Sequence, residues 1–374
     1  MAVKGTKVSQ DDIARKTGLS RVTVSKALNN VSTVSPMIKK KVFDAAEELG
    51  YKFLRRNIMP SNYDQTKTII IISTVDALNV FWSGVLHGIQ QHIKDNGYIS
   101  VVRIVNSREN LLVDNDIFGG LNTDDIAGFI ITGRHGLSLT ERLSKYQVPI
   151  VSVDSYTHLI SSNKYADVIL FDNFNAVFHI TQNLINAGHT KIGYIGDAFT
   201  CKSLHDRWLG YECAMSENGF EVDRHLCYCG DKNYLSYTGP HEIEVFLSEL
   251  EERPSAFVCQ NDDVASGVIR YYTRQGIRVP NDLVVTGFDG IDEYSFDITT
   301  VKCDRKYLGQ RAVEQLLRRI KNPHLMYETI TLPVEIVINN INILRPKRVG
   351  AMLLLFLIHR KLYLFKIRLC YLTL

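Results

Sequence analysis

Hydrophobic residues recur at helical spacing over the first fifty positions and then, from Thr68 onward, gather into short continuous runs. In "SQDDIARKTGLSRVTVSKALNN" (residues 9–30), Ile13, Ala14 and Thr17 share one inner face, and Val24, Ala27 and Leu28 share another. Ser9 followed by Asp12 has the spacing of a capped helix start. Gly18 supplies the left-handed residue that ends such a helix, Leu19 turns inward, and Ser20 caps a second one. Ser35-Pro36 opens a third helix that runs to Leu49 and stops at Gly50. Helix, short glycine turn, helix and supporting helix predict a helix-turn-helix.

The later runs have the look of buried parallel strands. Strands are predicted at 68–73, 97–105, 126–133 and 148–153, then again at 191–196, 256–260 and 283–289. Helical patterns occupy 81–96, 173–187, 205–218, 241–252 and 262–276. Two consecutive strand-helix series predict an N-terminal all-α head followed by two doubly wound α/β subdomains. A ligand is expected between them, outside the C-terminal ends of the strands.

Charge sharpens the division. The chain of 374 residues has a net charge of only +3, but residues 1–60 hold 12 Lys/Arg against 5 Asp/Glu. Residues 345–374 hold 7 Lys/Arg and no acid, which leaves −11 for the middle. A basic head on an acidic body points to a polyanion partner for the head. On the second helix, residues 21, 22 and 26 lie away from Val24 and Leu28. Arg21 and Lys26 can donate to guanine O6/N7 or to phosphate, and Val22 can meet a thymine methyl. Ser20, Thr23, Ser25 and Asn29 complete the candidate DNA-facing set on this element. The alternative is a solvated helix on an unrelated domain.

The stretch "DDIARKTGLSRVTVSKALNN-VSTVSPMIKKKVFDAAEELGY" resembles the DNA-binding head of the lactose-repressor (LacI) family of bacterial transcription regulators. The match runs through Ile13-Ala14, Gly18-Leu19-Ser20, Thr23-Val24-Ser25, Leu28-Asn29, Val34-Ser35 and Leu49-Gly50-Tyr51. After Tyr51 it frays. The family continues with a hinge helix whose leucine wedges into the minor groove, whereas this chain reads "KFLRRNIMPSNYDQTKT". Pro60 forbids a helix running through it. Arg55 and Arg56 are candidates for phosphate or a narrow minor groove, and Met59 or Ile58 for the wedge. A plain flexible linker is the alternative.

The body resembles the same family, whose regulatory core has the periplasmic-binding-protein fold. The carrying stretches include "DNFNAVFHITQNLINAGHTKIGYIGD" (172–197), "DRWLGY" (206–211) and "CQNDDVASGVIRYYTRQGIRVPNDLVVTGFDGI" (259–291). The resemblance implies three crossings between subdomains, near Asp172, near Thr300 and near residue 328. It divides the chain into a head and linker (1–60), an effector-binding and dimerisation domain (67–340) and an atypical basic, apolar tail (341–374). Within the domain, subdomain 1 takes about 67–172 and 300–327, and subdomain 2 about 173–299 and 328–340.

The resemblance also implies an effector pocket. Arg207, Asn261 and Asp289 match its positions, and Asp154, Phe81 and Trp82 match less firmly. Guanidinium and carboxylate groups exchange paired hydrogen bonds with adjacent hydroxyls, and an aromatic face covers the apolar side of a sugar ring. Competing readings stand beside these: Arg207 as a surface ion pair, Asp289 as a loop support, Trp82 as core. Asp262 reads as a helix cap rather than a ligand.

No G-x-S-x-G elbow, P-loop, H-E-x-x-H or dinucleotide fingerprint is present, and no cofactor or metal is expected. The seven cysteines lack framework spacing and read as reduced thiols. A sugar-binding protein without a DNA role shares the body's fold, but the head and the missing signal sequence argue against it. The apolar part of the tail, 349–358, is too short to span a membrane. An oligomerising helix, a membrane-surface segment and an extension without selected function remain open for it. The expectation is a cytoplasmic, effector-controlled regulator, read as a repressor, binding a pseudo-palindromic operator as a homodimer, with a tetramer as the alternative. A sugar is the expected effector.

Overall fold

The computed structural model describes residues 9–28, 34–49, 67–74, 79–105, 118, 121–133, 137–154, 165–230, 239–291 and 297–339. Of the sequence candidates, Asn29, Arg55, Arg56, Ile58, Met59 and the tail lie outside the described residues.

The head contains α1 (Gln10–Thr17), α2 (Arg21–Leu28) and α3 (Pro36–Glu48). Helices this short are marginal alone and depend on shared packing. Ile13, Val24, Ala27, Leu28, Val34, Val42, Ala45 and Ala46 supply it as one small buried cluster. The Ser9 amide and hydroxyl both donate to Asp12 Oδ2, at 2.9 and 2.7 Å. Those bonds from Ser9 hold the Asp12 carboxyl below its ordinary range. Gly18 has φ +68°, the left-handed conformation the turn requires. Ser20 Oγ accepts the Thr23 amide at 3.1 Å and so caps α2.

The body begins with β1 (Thr68–Thr74), α4 (Val80–Asp95), β2 (Ile99–Val105), β3 (Ile126–Thr132), α5 (Leu137–Ser144), β4 (Ile150–Val153) and β5 (Asp167–Phe171). Then come α6 (Asn173–Asn186), β6 (Ile192–Ile195), α7 (Lys202–Glu217), β7 (Cys227–Tyr228), α8 (Pro240–Ser248), β8 (Ala256–Cys259), α9 (Asp262–Arg274) and β9 (Val284–Thr286). The chain closes with β10 (Thr300–Lys302), α10 (Arg305–Lys321), β11 (Thr329–Leu332) and β12 (Glu335–Val337). The first sheet has the order β11-β5-β4-β3-β1-β2 and the second β7-β6-β8-β9, both wholly parallel. Helices cover parallel sheets on both faces, so central strands are buried on both sides; every residue of β3 and β4 is buried.

Asp172 caps α6, accepting the Asn175 amide at 3.2 Å, at the position expected for the first crossing. The strands β10 and β12 run antiparallel beside each other, with Lys302 opposite Glu335. The third crossing differs from expectation. The resemblance places residues from 328 in the second subdomain, but β11 pairs in parallel with β5, Thr329 opposite Val168. A buried ion pair explains this: Arg319 donates through Nε and Nη2 to Asp167 at 3.0 and 2.6 Å, and the Glu328 amide joins Asp167 at 2.8 Å. The turn after α10 is thereby tied to the start of β5, and the chain leaves the first sheet only at Pro333-Val334.

The strand expected at 283–289 is also shorter. Its ladder ends at Thr286, after which Gly287 and Asp289 donate their amides to Thr299 and Val301 carbonyls, both at 2.9 Å. This departure lifts Asp289 out of the sheet.

Candidate nucleic-acid interface and ligand pocket

Helix α2 buries Val24, Ala27 and Leu28 and turns Arg21, Val22 and Lys26 outward, with Val22 63% exposed despite being apolar. Arg21 Nε lies 3.6 Å from Asp11 Oδ1, with both side chains largely in water. Such a pair is weak and readily exchanged for another acceptor. Thr23 is held by Ser20, hydroxyl to hydroxyl at 2.8 Å, and Ser25 is half-buried. Lys40 and Lys41 are exposed on α3, with Lys39 half-buried beside them.

The second cluster is built at strand ends. Arg207, in α7, is 6% exposed, which excludes the reading as a surface ion pair. Its Nε donates to Asn173 Oδ1 at 2.8 Å, its Nη1 donates to the Gln260 carbonyl, and its guanidinium stacks 3.5 Å over the Phe288 ring. Arg207 Nη2 lies 3.5 Å from Asp289 Oδ1 as an ion pair, and that oxygen has no hydrogen-bond partner among the described residues. The same holds for Gln260 Nε2, while its Oε1 accepts the Asp197 amide at 2.6 Å. A buried acceptor and a buried donor left open beside one guanidinium are costly unless something else meets them.

Burial pushes the Asp289 carboxyl up to about 7, against the pull of Arg207. Burial likewise raises Asp262 to about 6, against bonds from Thr300 and the Ile291 amide. Asp262 receives the Thr300 hydroxyl at 2.7 Å and the Ile291 amide at 2.8 Å. It is not the helix cap expected from sequence: Asn261 caps α9, accepting the Val264 amide at 3.0 Å. Only the residue before the first helical position has the extended backbone that turns a side chain onto the open amides, and that residue is Asn261.

Asp154 ends β4 and accepts the Ser203 amide at 3.2 Å, so the end of the first sheet touches the start of α7. Asp154 and Asp289 have φ of +72° and +103°. Non-glycine residues held there store strain that clusters at functional sites. Phe81 and Trp82 meet edge-to-face at 5.2 Å in the first turn of α4, where Asn79 caps Trp82. Both are half-buried against the main core, and the described contacts do not join them to Arg207. Sequence reasoning missed Asn173, Gln260 and Phe288. Each adjoins a residue already singled out or an element end, but none carries a spacing signal of its own.

Two family models match the chain. "Bacterial regulatory proteins, lacI family" matches residues 10–52, and "Periplasmic binding protein-like domain" matches residues 181–339. The transcriptional repressor CytR of Escherichia coli (strain K12) is 28% identical over 346 residues, 89% of this chain and 96% of its own. The transcriptional repressor PurR of Photobacterium profundum is 27% identical over 87% of this chain and 96% of its own. The Haemophilus influenzae ribose operon repressor is 28% identical over 86% of this chain and 94% of its own. Among solved structures, a Lac repressor dimer bound to operator and an anti-inducer superposes with TM-score 0.68 at 23% identity, covering 90% of this chain and 100% of that one. With the helix-turn-helix in place, its donor face outward, and the two parallel sheets behind it, the chain belongs to the lacI family of bacterial regulatory proteins.

Proposed function

We propose that this regulator represses transcription by inserting α2 into the major groove of an operator, as a homodimer, and is switched by a small polyhydroxylated effector held at Arg207 and Asp289. The observation that carries the reading is the exposed row of Arg21, Val22 and Lys26 on a helix whose opposite face is buried. Two-fold related heads would read two half-sites about one helical turn apart. Relatives described as transcriptional repressors and as a ribose operon repressor, and a structural neighbour described as a CelR–cellobiose complex, support a small-molecule effector. In the pocket, Asp289 Oδ1 and Gln260 Nε2 would take up effector hydroxyls, with Asn261 presenting its amide nitrogen beside them. Asp154 would reach from the first sheet, and Phe81 with Trp82 would supply apolar cover. A ligand touching both sheets biases closure because its affinity differs between open and closed states. A cytoplasmic location accords with this role; no described helix is long and apolar enough to cross a membrane.

The test is Arg207→Ala. Gel-shift titration with operator DNA is expected to give unchanged binding, while calorimetry with the cognate sugar gives none. Unchanged sugar affinity in both Arg207→Ala and Asp289→Ala would refute the pocket.

A further inference from the structure

Beside the crossing strands lies a cavity of about 740 Å³, bounded by the first turn of α4 and the start of α10. Lys302, Arg305 and Lys306 line it, and none forms an ion pair with a described carboxylate. Two acids share the wall. Asp304 uses Oδ1 to accept the Tyr307 amide at 2.9 Å, and Glu335 lies opposite Lys302 in the strand pairing without approaching it closely enough to bridge. Arg305 is half-buried, and its aliphatic stem lies against Gly84: a Cβ there would sit 3.0 Å from Arg305 Cβ. Its Nη1 lies 3.5 Å from the Val80 carbonyl, one residue from Phe81. The glycine therefore makes room for this guanidinium across the turn that carries the aromatic pair. On its other side Arg305 is within electrostatic reach of Asp289: burial raises that carboxyl first, Arg207 pulls it back most, and Arg305 adds to the pull. The Asp289 amide donates to the Val301 carbonyl at 2.9 Å and Asp289 forms a backbone β-bridge with Lys302, so the residue that pairs with Arg207 adjoins the strand that lines the cavity.

Three cations without a carboxylate partner among the described residues, grouped around one cavity, have the chemistry of an anion site. Lys302 and Lys306 are exposed and Arg305 is half-buried, and a neutral polyol would give this half-buried guanidinium no counter-charge. We propose that the effector carries an anionic substituent, a phosphate ester or a carboxylate, bound by Arg305 with Lys302 and Lys306 while its hydroxyls meet Arg207 and Asp289. This rests on the effector pocket proposed above.

Calorimetry on the full chain would compare ribose with ribose 5-phosphate, glucose with glucose 6-phosphate and with glucuronate, and inorganic phosphate alone. The expected result is binding of an anionic probe that weakens about tenfold or more in Arg305→Gln, is largely restored in Arg305→Lys, and leaves operator binding unchanged. A phosphate ester or the glucuronate as the preferred probe would identify the source of the charge. Neutral sugars bound as tightly as their anionic counterparts, an unchanged affinity in Arg305→Gln, or no binding of any anionic probe would overturn the proposal. Neutral sugars bound as tightly as the anionic ones, through Arg207, would overturn the anion site and leave the pocket standing. Anion binding lost in Arg305→Gln but indifferent to Arg207→Ala would refute the shared pocket.

Discussion

Asp289→Asn isolates the electrostatic cost of the ligand pocket. A carboxyl raised from 3.8 to about 7 by burial is harder to ionise in the folded chain than in the unfolded one. Well below pH 4 both states hold the proton and the group costs nothing. As pH rises from 4 towards 7 the unfolded chain ionises first, so stability falls, and above 7 the full penalty is present. At about 1.4 kcal/mol per tenfold, that penalty is on the order of 2–4 kcal/mol once the shared field of Asp262 is allowed for. Asparagine imitates the protonated acid at every pH and keeps its shape.

The variant is therefore expected to exceed the parent chain only slightly near pH 4.5 and to unfold at a clearly higher temperature at pH 8. With about 2 °C per kcal/mol for a body of this size, the gain is roughly 4–8 °C. Scanning calorimetry of both proteins from pH 4.5 to 8 measures the difference, and subtraction cancels titrations elsewhere. The same variant is expected to lose effector binding, since a pocket kept charged for its ligand is stabilised by discharging it. Parallel pH profiles for the two proteins would refute the argument.

Arg21→Ala and Lys26→Ala are each expected to lose on the order of 1–3 kcal/mol at the operator and little on random DNA. Equal loss on both, measured by competition gel shift, would remove them from base reading. Lys40→Ala and Lys41→Ala should instead weaken all duplexes and flatten the salt dependence. Arg319→Ala leaves Asp167 buried without its partner, and roughly 3–5 kcal/mol of body stability should go with it. Hydrogen exchange should then show β11 opening from β5, and unchanged protection there would mean the pairing does not depend on the ion pair.

What could be read from the chain divides along the range of the forces involved. The head was legible because its signals are local: Ser9 and Asp12 are three residues apart, Gly18 sits in its own turn, and Val24, Ala27 and Leu28 define a face within two turns. The body's long apolar runs gave most strands for the same reason. Strand β5 was missed although "DVILF" is wholly buried, because a charged first residue interrupts the run, and that Asp167 is tolerable only through Arg319, 152 positions away. The same pair fixes β11 in the first sheet and shifts the third crossing, so no pattern within 328–332 could have placed it. Helix α10 was not predicted for a related reason: it buries Gln315 and Arg319 along with its apolar face, which blurs the periodicity. The pocket extends this logic. Arg207 and Asp289 came from family resemblance, since nothing in their spacing links them. The left-handed backbone at Asp154 and Asp289 leaves no trace in composition, because glycine, its usual mark, is absent at both. Gln147 shares the conformation at φ +56° without any place in the pocket, so the backbone alone marks no site; what sets Asp154 and Asp289 apart is that the same backbone carries buried carboxyl groups against α7, where they meet the Ser203 amide and Arg207.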